Sequence, residues 1–313
     1  MLVSFCKETD MKKKITWLLF HEPAELFIRT AEHFEQEVNA RTGDAYEFEI
    51  LELGDYEAKY YDGKRCDPLA ELRSGRVQMS QIYINTLAHA NVNNFLALTL
   101  PYLFRDHAHA TRVFEGELGA ELLDHVQDSI GIKGLSFTYS GGFKCMAVNR
   151  PVHSVDDFSG LTHDAKISSV RADMFAALGS TPVDGGEGDY KDTTLPRYGA
   201  DASKDQTYAI KTDHAMYLTT ILANKDLMDC MSESHYEAFK QAAKTAAHAE
   251  RIKSVQDADE ISVTPSLQRS LNISQVIELD AAQHAKLREK LEPVREKWRG
   301  YFPNALVDRI QAC

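Results

Sequence analysis

The sequence predicts a mixed α/β protein built from two domains. Three observations carry this. Short apolar runs suited to strands alternate with stretches whose apolar residues fall at helical spacing, the pattern of β-α-β units and a parallel sheet. The chain has 313 residues, enough for two domains of ordinary size. Ser232 to Glu250, continuing toward Ala258, is Ala-rich; twenty-odd helical residues at about 1.5 Å each make a rod of roughly 30–40 Å, which can lie across two domains.

The first predicted strand is Ile15–Phe20. Leu26, Phe27, Ala31, Phe34 and Val38 then recur at helical spacing, Thr42-Gly43 closes that helix, and Tyr46–Leu53 alternates like a strand. Pro68–Leu72 predicts a short helix ended by Gly75, and Val77–Ile84 the next strand. An Asn-rich loop (Asn91–Asn94), the apolar run Phe95–Leu100 and a turn at Pro101–Asp106 precede a helix carrying Val113, Leu118, Leu122 and Val126. Gly131–Phe137 predicts another strand.

Phe137 to Asp164 is the stretch that poses the functional question. It reads as a strand, a turn at Gly141-Gly142, an apolar run Phe143–Val148 stopped by Pro151, a short helix from Ser154 to Gly160, and a second strand from Leu161. Two strand exits, one carrying Lys144 and the other Asp164, are expected near each other on one domain, where open α/β folds bind ligands. A helix over Ser168–Leu178 stopped by Gly179, a loop at Pro182–Gly188 and irregular polar sequence from Tyr190 follow. Ala215–Ala223 predicts a strand, and Leu279–Ile310 two helices around Trp298 and Tyr301–Pro303.

Composition narrows the function. Apolar content of 43% fits a packed core, and the net charge of −12, with no basic stripe, argues against a nucleic-acid partner. Ile15–Phe20 follows Lys12–Lys14 but is too short for a signal-peptide core or a membrane span, and Met1–Asp10 reads as an appended or irregular leader. The cysteines at 6, 66, 145, 230 and 313 are scattered, which excludes C-x-x-C chemistry and suggests buried or incidental thiols. His107 and His109 face different sides of a helix and read as surface residues rather than metal ligands. Gly185-Gly186-Glu187-Gly188 lacks the Lys-Ser/Thr of a phosphate loop and reads as a structural turn. No nucleophile elbow or zinc helix is present, and no cofactor is expected.

Most of the acidic residues of the second half, among them Asp184, Glu187, Asp189, Asp201 and Asp205, read as solvated surface. Asp164 differs, because a carboxylate at a strand exit invites a cationic ligand group unless Lys144 pairs with it.

Several segments together resemble the solute-binding proteins of TRAP transporters. They are Leu72–Gly75 with Met79–Gln81, Leu100–Asp106 with Leu118–Leu123, Asn149–Val152, Asp157–Leu161 and Ala177–Pro182. The resemblance implies a periplasmic-binding-protein-like fold: two α/β domains with a ligand cleft between them, hinge strands and a long helix shared by both. It places the first domain at 12–137 plus about 216–258, and the second at 138–215 plus about 259–313. It also implies a monomeric periplasmic receptor, not an enzyme, that hands a small solute to membrane subunits, although no signal peptide is visible in the sequence.

Family members usually hold an organic acid with an arginine in a Gly-Leu-x-x-Arg context. Here Gly160-Leu161-Thr162-His163-Asp164 puts an aspartate there, and a second family arginine is replaced in Gly142-Phe143-Lys144. Asp for Arg inverts the sign of the site, so the preferred ligand is an amine or zwitterion at Asp164. An organic acid held by Lys144 is the alternative. Glu22, Tyr83, Asn85, Tyr139, His214 and Tyr217 are expected contact residues, and Asp205 or Gln206 stands where the family has an asparagine. A soluble sensor and a metal-assisted hydrolase are the rival functions.

Overall fold

The computed structural model describes residues 12–186 and 188–313. The leader Met1–Asp10, Cys6 and Glu187, on which the sequence raised expectations, lie outside the described residues. Nine strands occur in chain order among the described residues: β1 (Lys13–Leu19), β2 (Tyr46–Glu52), β3 (Met79–Tyr83), β4 (Ile132–Val148), β5 (Thr162–Asp164), β6 (Thr181–Val183), β7 (Tyr190–Thr193), β8 (Tyr208–Asn224) and β9 (Gln275–Glu278). Among the helices around them are α1 (Glu25–Thr42), α2 (Glu117–Ile130), α3 (Ser169–Ala177), α4 (Glu233–Val263) and α5 (Ala281–Arg299). The described residues form two compact units, one of the chain up to Val92, Phe114–Thr138 and Leu218–Ile252, the other of Asn93–Val113, Tyr139–Tyr217 and Lys253–Cys313. The chain passes between them within β4, β8 and α4, among other points.

In the first unit β1 pairs in parallel with β2 and β3, and β3 pairs antiparallel with β8. Ile15 to Leu19 are all buried, as expected of a central strand covered on both faces. The helical stripe of α1 packs there, with Phe34 5.2 Å from Trp17 and 5.5 Å from Phe239 of α4, ring to ring. Gly43, at φ 67°, ends α1 in the left-handed conformation that glycine adopts at least cost.

A buried carboxylate ties down the periphery of this unit. Glu71 accepts from Tyr56 and Tyr61 hydroxyls at 2.7 and 2.6 Å and from Arg76 Nε and Nη2 at 2.8 and 2.6 Å. Arg76 and the tyrosines outweigh burial and hold its carboxyl down at about 2. Replacing Glu71 by Gln turns one acceptor oxygen into a donor facing donors and removes the ion pair. The urea midpoint is expected to fall by the equivalent of ~2 kcal/mol; an unchanged midpoint would refute the role assigned to this carboxylate.

In the second unit β4 pairs antiparallel with β7, β8 pairs in parallel with β9, and β5 and β6 form a separate parallel pair. The core gathers Met146, Val148, Phe158, Phe175, Tyr190, Ile210, Leu287 and Leu291, which seats α3 and α5. Ser154 and Asp157 form a capping box at Val155–Phe158, as the sequence signal implies.

Four sequence expectations need correction. Gly141-Gly142 is not a turn: both residues lie inside the continuous seventeen-residue β4, at φ 93° and 76°. A Cβ on Gly141 would stand 2.2 Å from Thr194 Oγ1, so glycine serves close approach there rather than chain reversal. The polar stretch from Tyr190 is not irregular but strand β7. The helix carrying Val113 to Val126 is two helices, His107–Glu115 and α2, divided at Gly116. His109 is buried, with Nε2 2.8 Å from the Ile310 carbonyl and Nδ1 accepting from the Arg105 N–H.

Candidate functional site

In the register of β4 with β7, Met146 stands opposite Asp192. Side chains share a face every second residue, so Lys144 and Asp192 are diagonal neighbours on one face, a span that a lysine can cross. Lys144 Nζ donates to Asp192 Oδ2 at 2.6 Å. Arg171, the third residue of α3, donates through Nη2 to the other oxygen. From β8, His214 Nε2 lies 3.8 Å from Asp192 Oδ2, and its Nδ1 lies 2.8 Å from Thr212 Oγ1. One carboxylate therefore pairs with two cations, with an imidazole close beside it.

A second layer backs this cluster. Tyr217 presents its ring to Lys144 Nζ, 5.4 Å from the centroid, and to the Arg197 guanidinium, 4.4 Å away. Arg197 forms a two-pronged pair with Asp201 at 3.0 Å on each arm, and Asp201 also accepts from Thr193 Oγ1. The side chains of Lys144 and Arg197 are 4% and 5% exposed, whereas Arg171 is 22% exposed and forms the open edge of the cluster.

Charge states follow from these contacts. Burial pushes the Asp192 carboxyl up, but Arg171 and Lys144 beside it outweigh that and hold it well below the carboxylate range. Burial lowers the His214 imidazole despite its contact with Asp192, keeping it neutral at pH 7. The site is an ionised carboxylate clasped by a lysine and an arginine, a geometry suited to holding an anion at the guanidinium edge.

The sequence-predicted residues divide between the units. Lys144, His214 and Tyr217 come together around Asp192. Tyr139, on β4, is buried and sits 5.6 Å from the His107 ring. Lys144 lies within β4 rather than at its exit, and its ammonium meets Asp192, not Asp164. Asp164, half-buried at the end of β5, accepts from the Lys166 N–H at 2.9 Å. Asp205 is exposed, while Gln206 is buried and bridges the Ser203 N–H and the Gly188 carbonyl.

In the first unit, Tyr83 donates its N–H to His21 Nε2 at 2.9 Å and accepts on its hydroxyl from Asn85 Nδ2 at 3.0 Å. Asn85 Oδ1 is buried without a hydrogen-bond partner among the described residues. Glu22 is exposed and accepts from the Ala24 N–H.

Sequence reasoning missed Asp192, Arg171 and Arg197. Asp192 was hidden because four short residues of β7 carry too little alternation to announce a strand. Arg171 sits on a helix whose first turn gives no sign that it faces a buried carboxylate. Among the described residues no group of three or more His, Cys, Asp and Glu is placed to hold a metal ion, and no helix is long and apolar enough to cross a membrane.

The DctP family model, described as bacterial extracellular solute-binding protein, family 7, matches residues 20–187. The chain belongs to this family. Its DctP-family relatives include the C4-dicarboxylate-binding periplasmic protein DctP of Rhodobacter capsulatus, 25% identical over 284 residues, covering 85% of this chain and 80% of that protein. Among solved structures, a TRAP periplasmic solute-binding protein of Sulfurospirillum deleyianum with bound succinate shares the fold at a TM-score of 0.79 and 20% identity, over 96% of this chain and 99% of that one. A TRAP solute-binding protein of a Polaromonas species bound to D-erythronate gives a TM-score of 0.79 at 21% identity, over 96% and 99%. The expected TRAP-type fold and family thus hold, and the family is one of periplasmic solute receptors.

Proposed function

We propose that this protein is the extracytoplasmic receptor of a TRAP transporter, a monomeric, cofactor-free binding protein that takes up a small organic acid and delivers it to membrane subunits. The two compact units serve as its two domains. The observation that carries the ligand class is the guanidinium edge of Arg171 on the Lys144–Asp192 pair. It supplies from α3 the planar, permanently charged donor that the Gly160-Leu161 motif lacks at Asp164. His214, Tyr217 and Tyr139 are the proposed supporting walls. The C4-dicarboxylates, succinate and D-erythronate bound by the relatives agree with a carboxylate ligand.

A second reading has its own observation. The Asp164 carboxylate has no ion-pair partner among the described residues, which suits an amine or a zwitterion there. A thermal-shift screen of organic acids, amines and amino acids separates the two. On the acid reading, acids raise the melting temperature, Asp164→Ala retains the shift, and Arg171→Ala weakens acid binding by roughly 30-fold, the loss of one charge-assisted contact. Stabilisation by amines alone, abolished in Asp164→Ala, would replace the acid reading with the amine one.

A further inference from the structure

We propose that the first unit carries a second small-molecule site, a groove between α2 and α4 that binds an amphipathic monocarboxylate with its head group at Lys244. The site stands apart from the Lys144–Asp192 cluster, whose residues all belong to the second unit.

Small residues open the groove. Gly116, the N-cap of α2, shares a helical face with Ala120 and Leu123, at i, i+4 and i+7. On α4, Thr245, Ala249 and Ile252 repeat that spacing. With glycine, alanine and threonine along the two walls, a cavity of about 560 Å³ is left within the first unit. Small-molecule pockets are commonly about 300–1,000 Å³ and mostly apolar. The floor is well packed: Leu135 belongs to the core of the unit, and the Phe114 ring lies 4.9 Å from that of Phe137. Ile252, on the lip, is a large apolar side chain left 48% exposed.

The charged lining residues decide the head group. Glu115 is engaged, since Arg251 donates to its Oε1 and His248 Nδ1 lies 3.0 Å from the same atom. Lys244 makes no hydrogen bond and no ion pair among the described residues. An ammonium that the protein leaves unengaged beside an apolar groove is suited to the carboxylate of a ligand whose remainder is apolar. Lys244 and Ile252 stand about 12 Å apart along the axis of α4, at about 1.5 Å per residue. A carboxylate at the first therefore leaves room for an extended chain toward the second. Each methylene that leaves water against Leu123, Leu135 and Ile252 adds to binding. These features describe a medium-chain acid.

The test is calorimetric titration with octanoate, butanoate and octan-1-ol. Octanoate is expected to bind about tenfold or more tightly than butanoate, because its added methylenes are buried. Lys244→Met should weaken octanoate about fivefold or more, the loss of one charge-assisted contact, and leave octan-1-ol unchanged. Ala120→Phe fills the groove from an exposed position on α2 and should weaken octanoate and octan-1-ol alike by about tenfold or more. Thr245→Phe fills it from α4 and serves should Ala120→Phe not fold. Arg171→Ala, altered at the solute site of the second unit, should bind octanoate as the parent does. Octanoate that does not bind, that binds undiminished to the filled variants, or that is lost in Arg171→Ala overturns the proposal. Equal weakening of octanoate and octan-1-ol in Lys244→Met overturns the assignment of the head group. Self-association of the wild type that Ala120→Phe abolishes gives the groove to a second copy of the chain, and overturns the small-molecule site.

Discussion

Lys144→Met is expected to cost about 3 kcal/mol of stability, the lower end for breaking a buried ion pair by removing one partner. The lower end applies because Arg171 still holds the other oxygen of Asp192. Met keeps much of the volume and apolar stem of Lys, so the loss reports charge rather than a cavity. The double variant with Asp192→Asn then decides whether the pair acts as a unit. Two uncharged side chains in a buried site avoid the desolvation of either ion, so the double variant should be more stable than the sum of the single losses predicts by at least ~1 kcal/mol. Additive losses in chemical denaturation would show that Lys144 and Asp192 are not coupled and that the cluster is wrongly drawn. Solute binding should weaken in Lys144→Met as well, because Asp192 loses one of the two cations that position it beside Arg171.

Much of the fold was legible because its signals are local and periodic. The stripe Leu26, Phe27, Ala31, Phe34 and Val38 faces the core of the first unit as spaced, and Gly43 and Gly75 end their helices in left-handed conformations. The parallel pairing of β1 with β2 follows from the helix between them. The site was legible only in part. Lys144, His214 and Tyr217 were visible as residue types on strands, but what organises them is Asp192. It comes from a four-residue strand whose pairing depends on contacts far apart in sequence. Asp164 was conspicuous because it breaks a motif, and a broken motif says which group is missing without saying where a replacement stands. Arg171, seven residues farther on, is that replacement on the acid reading, and only the fold of α3 against β7 brings it to Asp192. Gly141-Gly142 misled for a related reason: a glycine pair marks unusual backbone, and close packing against Thr194 requires it as surely as a turn does.

Gly188→Ala is the other change expected to have a large effect, and it reaches the site through backbone alone. Gly188 has φ 72° and pairs antiparallel with His163 of β5. A Cβ there would lie 2.5 Å from both His163 Cα and the Thr162 carbonyl oxygen, main-chain atoms that cannot turn aside. Left-handed backbone for a non-glycine residue and overpacking each cost on the order of 1–3 kcal/mol, so a combined loss of about 3–5 kcal/mol is expected. The strain falls where it matters for binding. The Asp189 N–H donates to the Thr162 carbonyl at 2.7 Å, and Asp189 Oδ2 accepts from the Thr162 N–H at 2.8 Å. β7 begins at the next residue and carries Asp192. Pushing Gly188 away from β5 therefore shifts the carboxylate that positions Lys144 and Arg171, and solute affinity should fall along with the melting temperature. Gly186, two residues earlier, is the matched control. An added Cβ there meets nothing within 4 Å, and Gly186→Ala should stay within about 0.5 kcal/mol of the parent. Equal melting temperatures for the two variants would mean that β5 and the start of β7 are not locked together at Gly188, and that Asp192 owes its position to the ion cluster alone.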